Sequence, residues 1–345
     1  MRNLILFLVL LSLFVTPVSA AELTAPEVPD SGAELMPETE SFAEGLTELL
    51  QKAVRAIRPD LAEASRVSLS VIAAVMLVSI LGSFQGGVKT AADLAGATVI
   101  ASILLLSTNS LIRLGGETVT ELSEYGKLLL PVMTTAMAAQ GGLTSSAALY
   151  TGTAVFNALL SSLISRLLVP MVYLFLALAA ANSAIGEDIL KKMRDFVKGA
   201  VSWCLKTILT VFTTYMSITG VISGTTDAAT LKATKVTISS VVPVVGGILS
   251  DASEAVLVGA GLVKNSAGIY GIFAILAVCL GPFLQIGAHY LILKITAAVC
   301  EIFGSKRMTE LISDFSTAMG LLLAMTGSAC LLLLISTICF LKGVG

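Results

Sequence analysis

Charged residues are scarce in this chain of 345 residues. Asp, Glu, Lys and Arg together make up 13% of it, whereas 56% of the residues are hydrophobic. A soluble globular protein carries about 25% charged residues, so a soluble enzyme is a poor starting hypothesis. The mean hydropathy of +0.93 indicates instead that lipid surrounds most of the polypeptide. We expect an all-α, polytopic membrane helical bundle.

Residues that bind metals or perform catalysis are also scarce. The single histidine, His289, excludes a zinc motif with two histidines on one helix. A serine-protease pair of His289 and Ser328 stays open as a remote alternative. The five cysteines have neither the spacing of a zinc knuckle nor that of a disulfide framework, so we expect small buried side chains. We expect no enzyme activity, metal, cofactor or nucleic-acid partner.

A nucleotide-binding loop is absent as well. Residues 82–90 superficially resemble a phosphate loop, but one residue separates the second glycine from Lys89 and no strand precedes it. Any ATP-driven step must therefore depend on a partner protein.

The N-terminus has the design of a secretory signal. Arg2 precedes an apolar run, and small residues follow up to a plausible cleavage site after Ala20. We interpret residues 1–20 as a signal peptide, with an uncleaved anchor helix as the alternative. Residues 21–40 are predicted to be a flexible, acidic, extracytoplasmic lead.

An amphipathic helix is predicted over residues 41–58. Ser41 and Glu44 form a capping-box pattern, apolar residues recur at helical spacing, and Pro59 ends the helix. Such a helix either lies on the membrane surface or packs on a partner.

Two N-terminal transmembrane helices are predicted within residues 67–112. The first covers about 67–84 and the second about 94–112, each close to the roughly 20 residues that span a bilayer. Residues 113–127 include Glu117, Glu121, Glu124 and Lys127, and we interpret them as a charged connection between spans.

The rest of the chain reads as an internal duplication. Pro131 and Pro170 are 39 residues apart, as are Pro243 and Pro282. The copies cover about 128–222 and 240–341, with the second membrane repeat starting near residue 236.

Each copy begins with a short apolar segment that carries one of these prolines. These segments, 128–140 and 236–250, are typical of broken or re-entrant helices. Whether 143–186 and 252–303 each form one bent span or two stays open, so the total is about six to nine crossings.

A basic segment precedes the last apolar run of each copy. Both segments resemble interfacial helices, and their positive charge favours the cytoplasmic side. If both are cytoplasmic, an even number of crossings separates them, the repeat is parallel, and the C-terminus lies outside. The basic residues are Lys191, Lys192, Arg194, Lys306 and Arg307, and the apolar faces are Ile189, Met193, Phe196 and Val197 in one copy and Met308, Leu311, Ile312 and Phe315 in the other.

Polar residues cluster around the apolar runs of the second copy. An ionised residue inside a membrane usually lines a cavity or has a partner, so these residues form a candidate polar pathway at a broken helix. The alternative is structural, with Asp251 and Glu254 as a capping box. The set is Asp227, Lys232, Lys235, Asp251, Glu254, Lys264 and Asn265.

This same region carries a family resemblance. Residues 224–235 read GTTDAATLKATK, residues 242–247 read VPVVGG before Asp251, and residues 262–271 read LVKNSAGIYG. Together with the order of signal, polar lead and polytopic bundle, they resemble the stage III sporulation protein AE family of endospore-forming bacteria.

The resemblance implies a role in a complex that connects the mother cell with the forespore. It implies a multi-pass protein of the mother-cell membrane around the forespore, with a permease-like or export-gate-like role in late forespore development. Implied partners are other stage III sporulation A-operon proteins, including an ATPase and ring-forming subunits, and a forespore protein. A non-conducting scaffold and a stand-alone secondary transporter are the alternatives. The resemblance implies no catalytic residues.

Overall fold

All regular elements in the described part of the chain are helices. The computed structural model describes residues 26–39, 41–82, 87–139, 143–185, 187–218, 266–303 and 306–342. In chain order the helices are α1 Asp30–Ala33, α2 Phe42–Ala56, α3 Arg58–Gly82, α4 Gly87–Ala139, α5 Leu143–Leu163, α6 Val169–Ile185, α7 Asp188–Ile218, α8 Ser266–Phe303 and α9 Lys306–Lys342. A π-helical turn, Ile164–Leu168, joins α5 directly to α6. The all-α prediction is confirmed for these residues.

Among the described residues, six helical stretches are long and apolar enough to cross a membrane. They are α3, residues 91–138, residues 146–185, residues 188–216, residues 268–303 and residues 306–341. A multi-pass membrane protein follows from their length and composition. The predicted signal peptide, residues 1–20, lies outside the described residues.

Helix α9 forms the centre of the bundle. Every residue from 318 to 334 is buried, and α9 contacts α4, α5, α6, α7 and α8. A helix that is apolar on all sides is typical of such a buried position. Several of its hydroxyl groups bond back to its own backbone; for example, Ser328 Oγ donates to the Ala324 carbonyl across 2.6 Å. The buried hydroxyl groups of Thr326, Ser328, Ser336 and Thr337 are therefore paired within the helix itself.

Helix α4 runs without interruption through the stretch that we expected to be a connection. It has 53 residues, which corresponds to a rod of about 80 Å. The predicted charged connection, 113–127, is therefore wrong. Its charges occupy one face of the helix, while the opposite face buries Val119, Leu122 and Tyr125 in the core. Residues 67–82 of the first predicted span, 67–84, fall in α3, while residues 83–84 lie outside the described residues. The second predicted span, 94–112, falls in the first half of α4.

The prolines do not divide the described helices into separate half-spans. Pro131 lies inside α4 and Pro282 inside α8, so the predicted short segment 128–140 is the last part of a continuous helix. Pro170 follows the π-helical turn at the start of α6. A proline lacks the amide N–H that the preceding turn would use, which fits a local change of helix type at this point. Pro243 and the segment 236–250 lie outside the described residues.

Residues 143–185 form one continuous helical rod. The π-helical turn lies near its middle, between α5 and α6. In this copy the structure therefore has one continuous candidate span, residues 146–185, rather than two. Its counterpart is described only from residue 266 onward, as part of α8.

Helix α2 packs along α8, an arrangement that differs from both predicted alternatives. The rings of Phe42 and Phe273 stack with centroids 5.3 Å apart, and Leu49 and Ala53 are fully buried. The amphipathic face of α2 is thus covered by the chain's own helix.

The predicted capping box at the start of α2 is also wrong. Ser41 occupies the N-cap position without a side-chain hydrogen bond to the helix. The hydroxyl of Thr39 instead links the two residues of the predicted box. It accepts a hydrogen bond from the Ser41 N–H across 3.1 Å and donates one to the Glu44 carboxylate across 3.2 Å. Pro59 lies in the first turn of α3, where its missing N–H costs no hydrogen bond.

Two helical hairpins in the bundle share the same course. Both α6–α7 and α8–α9 turn at one end of the bundle, where Ser183 Oγ donates to the Arg307 carbonyl across 3.4 Å. Helices α7 and α9 therefore start at the same end and run in the same direction. This arrangement agrees with a parallel repeat, and the duplication itself stays a prediction.

Candidate functional site

The two basic segments meet at the shared end of the hairpins, which we call the basic end. It comprises the first turns of α7 and of α9. Lys192, Lys306 and Arg307 are exposed there, whereas Arg194 is turned inward. The structure thus brings the two predicted basic segments side by side.

A buried ion pair joins these segments. Arg194 Nη1 on α7 lies 2.5 Å from Asp314 Oδ2 on α9, and their side chains are only 7% and 13% exposed. Arg194 Nε and Nη2 also donate to Asp195 Oδ1 across 3.2 and 3.1 Å. Desolvating two charges is costly, so such a pair is retained only where the geometry is good and the remaining donors are satisfied. The guanidinium therefore fixes α7 against α9.

A second, more exposed ion pair reinforces the first. Lys191 Nζ lies 3.1 Å from Glu310 Oε1, with both side chains partly open to the surroundings. Exposed pairs contribute about 0–1 kcal/mol. Arg194 and Asp314 therefore hold this end together, and Lys191 adds little.

The two predicted apolar faces at the basic end have different environments. Met308, Leu311, Ile312 and Phe315 are all buried in the core, so the prediction of an interfacial helix is wrong for the second copy. In the first copy Ile189, Met193 and Phe196 are exposed and only Val197 is buried. The cause is position, because α9 is central whereas α7 lies at the periphery.

A groove that the sequence did not reveal lies between α4 and the rod of α5 and α6. It has a volume of about 670 Å³ and is lined on one side by residues of α4 from Leu106 to Glu121, and on the other by Ser165, Val169 and Tyr173. Tyr173 OH donates to Asn109 Oδ1 across 2.8 Å at one end. The periodic charges of 113–127 could have indicated it, since they recur at helical spacing.

The lead segment is fastened to the bundle by polar contacts. Ser31 Oγ donates to Glu121 Oε2 across 2.6 Å, and Lys52 Nζ donates to the Met36 carbonyl across 2.8 Å. Lys52 also pairs with Glu48 across 2.8 Å, and this hydrogen bond lowers the pKa of the Glu48 carboxyl.

The predicted polar pathway falls outside the described residues. Asp227, Lys232, Lys235, Asp251, Glu254, Lys264 and Asn265 all belong to the range 219–265. Both interpretations of Asp251 and Glu254 therefore stay open. Within the described ranges, no group of three or more His, Cys, Asp or Glu side chains could hold a metal ion.

The residues of the remote protease alternative bond to their own helices. His289 Nδ1 lies 3.0 Å from the Gln285 carbonyl oxygen, and the Ser328 hydroxyl donates within α9 as described above. The cysteines match the expected packing, with Cys204 half-buried and Cys279, Cys300, Cys330 and Cys339 buried.

Comparison with known proteins gives one consistent result. A family model described as stage III sporulation protein AE matches residues 34–343. A relative described as stage III sporulation protein AE, from Bacillus subtilis (strain 168), is 23% identical over 233 residues. The match covers 67% of this chain and 58% of the relative, so the chain matches little more than half of that protein's length. No solved structure gives a significant match.

Proposed function

Because the chain belongs to the stage III sporulation protein AE family, we propose that it is a membrane-embedded core subunit of a complex connecting mother cell and forespore. The family is one of stage III sporulation proteins. The supporting observation is that the matched range, 34–343, contains all six candidate membrane spans. The proposed subunit is permease-like or export-gate-like, lies in the mother-cell membrane around the forespore, and is needed for late forespore development.

The proposed partners are other products of the stage III sporulation A-operon. The sequence contains no nucleotide-binding loop, so a partner ATPase would supply any energy for transport. Lys192, Lys306 and Arg307 are exposed at the basic end and form a surface for such a partner. Ring-forming subunits and a forespore protein would complete the connection.

A non-conducting scaffold is the second candidate, and the filled interior favours it. Helix α9 occupies the bundle centre, and residues 318–334 are buried without a gap. A conduit through the described residues of a single copy would have to displace this helix. Conduction would therefore use the range 219–265, a second copy or a partner.

The polar set of residues 227–265 is proposed to line such a conduit. Asp251→Asn removes one charge while keeping the side-chain shape, and asparagine is as good an N-cap as aspartate. A conduit predicts normal accumulation in the membrane with impaired sporulation. Full sporulation of this variant would favour the capping interpretation instead.

Gene deletion tests the proposed function. In an endospore-forming host, deletion should leave early sporulation intact and sharply reduce both a late forespore reporter and heat-resistant spores, and the intact gene should restore both. A reporter fusion should place the protein at the mother-cell membrane around the forespore. Wild-type numbers of heat-resistant spores in the deletion strain would overturn the proposal.

A further inference from the structure

The groove between α4 and α6 changes from apolar to polar along its length. A second cavity of about 270 Å³ adjoins it, and the two share four lining residues that include Leu106 and Tyr173. Leu105 and Leu176 line the second cavity, whereas the groove extends in the other direction as far as Glu121. The two cavities therefore form one groove with an apolar end and a polar end.

Two hydrogen bonds fix how α4 lies beside the rod of α5 and α6. Asn157 Nδ2 donates to the Ser123 carbonyl, and Tyr173 OH donates to Asn109 Oδ1. Between these bonds the residue number rises by 16 along the rod and falls by 14 along α4. The two helices therefore run antiparallel in a nearly constant register.

The apolar end of the groove belongs to a band that is as thick as a bilayer core. Residues 94–112 of α4 and residues 167–185 of the rod carry no charge, and each stretch is about 28 Å long. In the register given above, the two stretches lie side by side. A hydrocarbon core is about 30 Å thick, so this face of the bundle crosses it without placing a charge in lipid.

Arginines lie at one edge of this band on both helices. Arg113 directly follows the uncharged stretch of α4, and Arg166 directly precedes that of the rod. Their distances from the Asn109–Tyr173 bond are four and seven residues, so the two differ in height by about 5 Å. Both side chains are exposed. Arginines near the end of an apolar span extend to the interface, which places the polar end of the groove among the lipid headgroups.

The charges of the groove follow the order of the charges in a zwitterionic phospholipid. Arg113 lies nearest to the uncharged band, and Glu117 and Glu121 follow one and two turns further from it. In an aminophospholipid the phosphate lies next to the glycerol and the acyl chains, and the ammonium group lies beyond the phosphate. A phosphate level with Arg113 therefore has its ammonium group on the side of the two glutamates.

These side chains keep bonding capacity for a ligand. Arg113 Nε lies 3.6 Å from Glu117 Oε1, and the two side chains are 77% and 60% exposed, so this is a loose, solvated pair. Ser31 donates to only one oxygen of Glu121, and a carboxylate accepts several hydrogen bonds. Asn109 accepts from Tyr173 through Oδ1, and its NH₂ group is a donor.

We propose that this groove binds an aminophospholipid of the surrounding bilayer. An acyl chain lies against Leu105 and Leu106, and the Asn109 amide donates to an ester carbonyl. The phosphate accepts charge-assisted hydrogen bonds from the Arg113 guanidinium, and the ammonium group donates to Glu117 and Glu121. An anionic phospholipid has no cation for the two glutamates, so the groove discriminates against it. This proposal does not depend on whether the protein conducts.

Lipid retention by the full-length protein tests the site. The protein is reconstituted into nanodiscs with equal amounts of phosphatidylethanolamine and phosphatidylglycerol and re-extracted in mild detergent, and native mass spectrometry measures the lipid that stays bound. Phosphatidylethanolamine should be preferred about tenfold, the equivalent of 1.4 kcal/mol. Equal retention of the two lipids, or retention of neither, would overturn the proposal.

Exchanging the two charges tests their order. Arg113→Glu/Glu117→Arg keeps the net charge and an ion pair at i and i+4, with the glutamate in the favourable N-terminal position. Thermal unfolding should therefore be unchanged, while the preference for phosphatidylethanolamine should be lost. An unchanged preference in this variant would show that the headgroup is not read in this orientation and would overturn the proposal.

Filling the groove tests the location of the lipid. Its floor is open at Gly116, where an added Cβ would meet only Val169 Cγ2, at 3.9 Å. Gly116→Leu should release the lipid. Gly199→Leu on α7 is the matched control, because a Cβ there meets nothing within 4 Å, and this variant should retain the lipid. Retention by Gly116→Leu, or loss from both variants, would overturn the proposal.

Free phosphoethanolamine distinguishes a membrane lipid from a soluble ligand with the same charged groups. It lacks the acyl chain that lies in the apolar end of the groove, so an excess of it should leave the bound lipid in place. Displacement of the lipid by free phosphoethanolamine would overturn the proposal in favour of a site for a soluble ligand.

Discussion

Arg194 on α7 and Asp314 on α9 form a buried ion pair, 2.5 Å between Nη1 and Oδ2. The pair links the start of one hairpin to the start of the other, at the end where both basic segments lie. Because α9 is enclosed by the other helices while α7 lies at the periphery, Arg194 holds the outer helix against the core.

Removing Arg194 should strongly destabilise the bundle. Arg194→Leu leaves Asp314 as an uncompensated buried charge, at a cost of about 3–5 kcal/mol. Denaturant-induced unfolding of the purified protein in mixed micelles measures the change in the free energy of unfolding. Lys191→Ala is the matched control, because this exposed pair contributes about 0–1 kcal/mol. Equal losses of unfolding free energy in the two variants would show that the buried ion pair contributes no more to stability than the exposed one.

A double substitution distinguishes the stability contributed by the ion pair from the cost of leaving one buried charge without a partner. Arg194→Leu/Asp314→Leu removes both charges together, so its loss should be smaller than that of Arg194→Leu alone. A double variant at least as unstable as the single would mean that Asp314 does not depend on Arg194.

Two neighbouring leucines of α2 should respond in opposite ways. Leu49 is fully buried against α8, whereas Leu50 is 44% exposed. Leu49→Ala should cost about 2–5 kcal/mol through lost contacts and a cavity, while Leu50→Ala should stay within about 0.5 kcal/mol. Limited proteolysis of the lead measures the release of α2. Similar cleavage rates in both variants would contradict the packing of α2 on α8.

Glycines inside the bundle should differ in their tolerance of alanine. A Cβ at Gly152 would come within 2.1 Å of the Tyr215 ring, whereas at Gly287 the nearest atom is a Leu323 methyl at 3.8 Å. Gly152→Ala should therefore cost about 1–3 kcal/mol through overpacking. Gly287→Ala should be neutral or slightly stabilising, since alanine favours the helix. Thermal unfolding of both variants checks this, and an unchanged midpoint for Gly152→Ala would contradict the contact.

Membrane topology provides a further prediction. If the basic end is cytoplasmic, the C-terminus lies outside, because α9 runs away from that end, and the lead before α2 is predicted to be extracytoplasmic as well. Reporter fusions at the C-terminus and after residue 40 should then give the same extracytoplasmic signal. Opposite signals at the two sites would refute this orientation.

The sequence indicates the helical class because one physical requirement, the pairing of backbone polar groups inside lipid, dominates the choice of secondary structure. A chain this poor in charge must satisfy its backbone internally, and helices do so within lipid. It could not indicate that α9 is central, since lipid-facing and core-facing helices have the same apolar composition. Only packing distinguishes α9, where residues 318–334 are buried, from α3, where Leu77 and Ile80 are exposed.

The candidate site was partly predictable for a related reason. Lys191 and Arg194 were recognised as basic residues near a span end, but their partners Glu310 and Asp314 lie about 120 residues away in the sequence. No local pattern encodes such a pairing. The groove at Arg113 and Glu117 is not evident from the sequence, because charges within an apolar chain favour a loop; only their helical spacing indicates a helix.

Solute flux through reconstituted liposomes tests the central claim most directly. The purified protein, alone and together with its A-operon partners, is placed in vesicles loaded with a small fluorescent solute. A core subunit of a channel predicts release only when the partners are present, and Asp251→Asn should reduce it. Release by the isolated protein would indicate a stand-alone transporter, and no release in either case would contradict a conducting role and leave the scaffold.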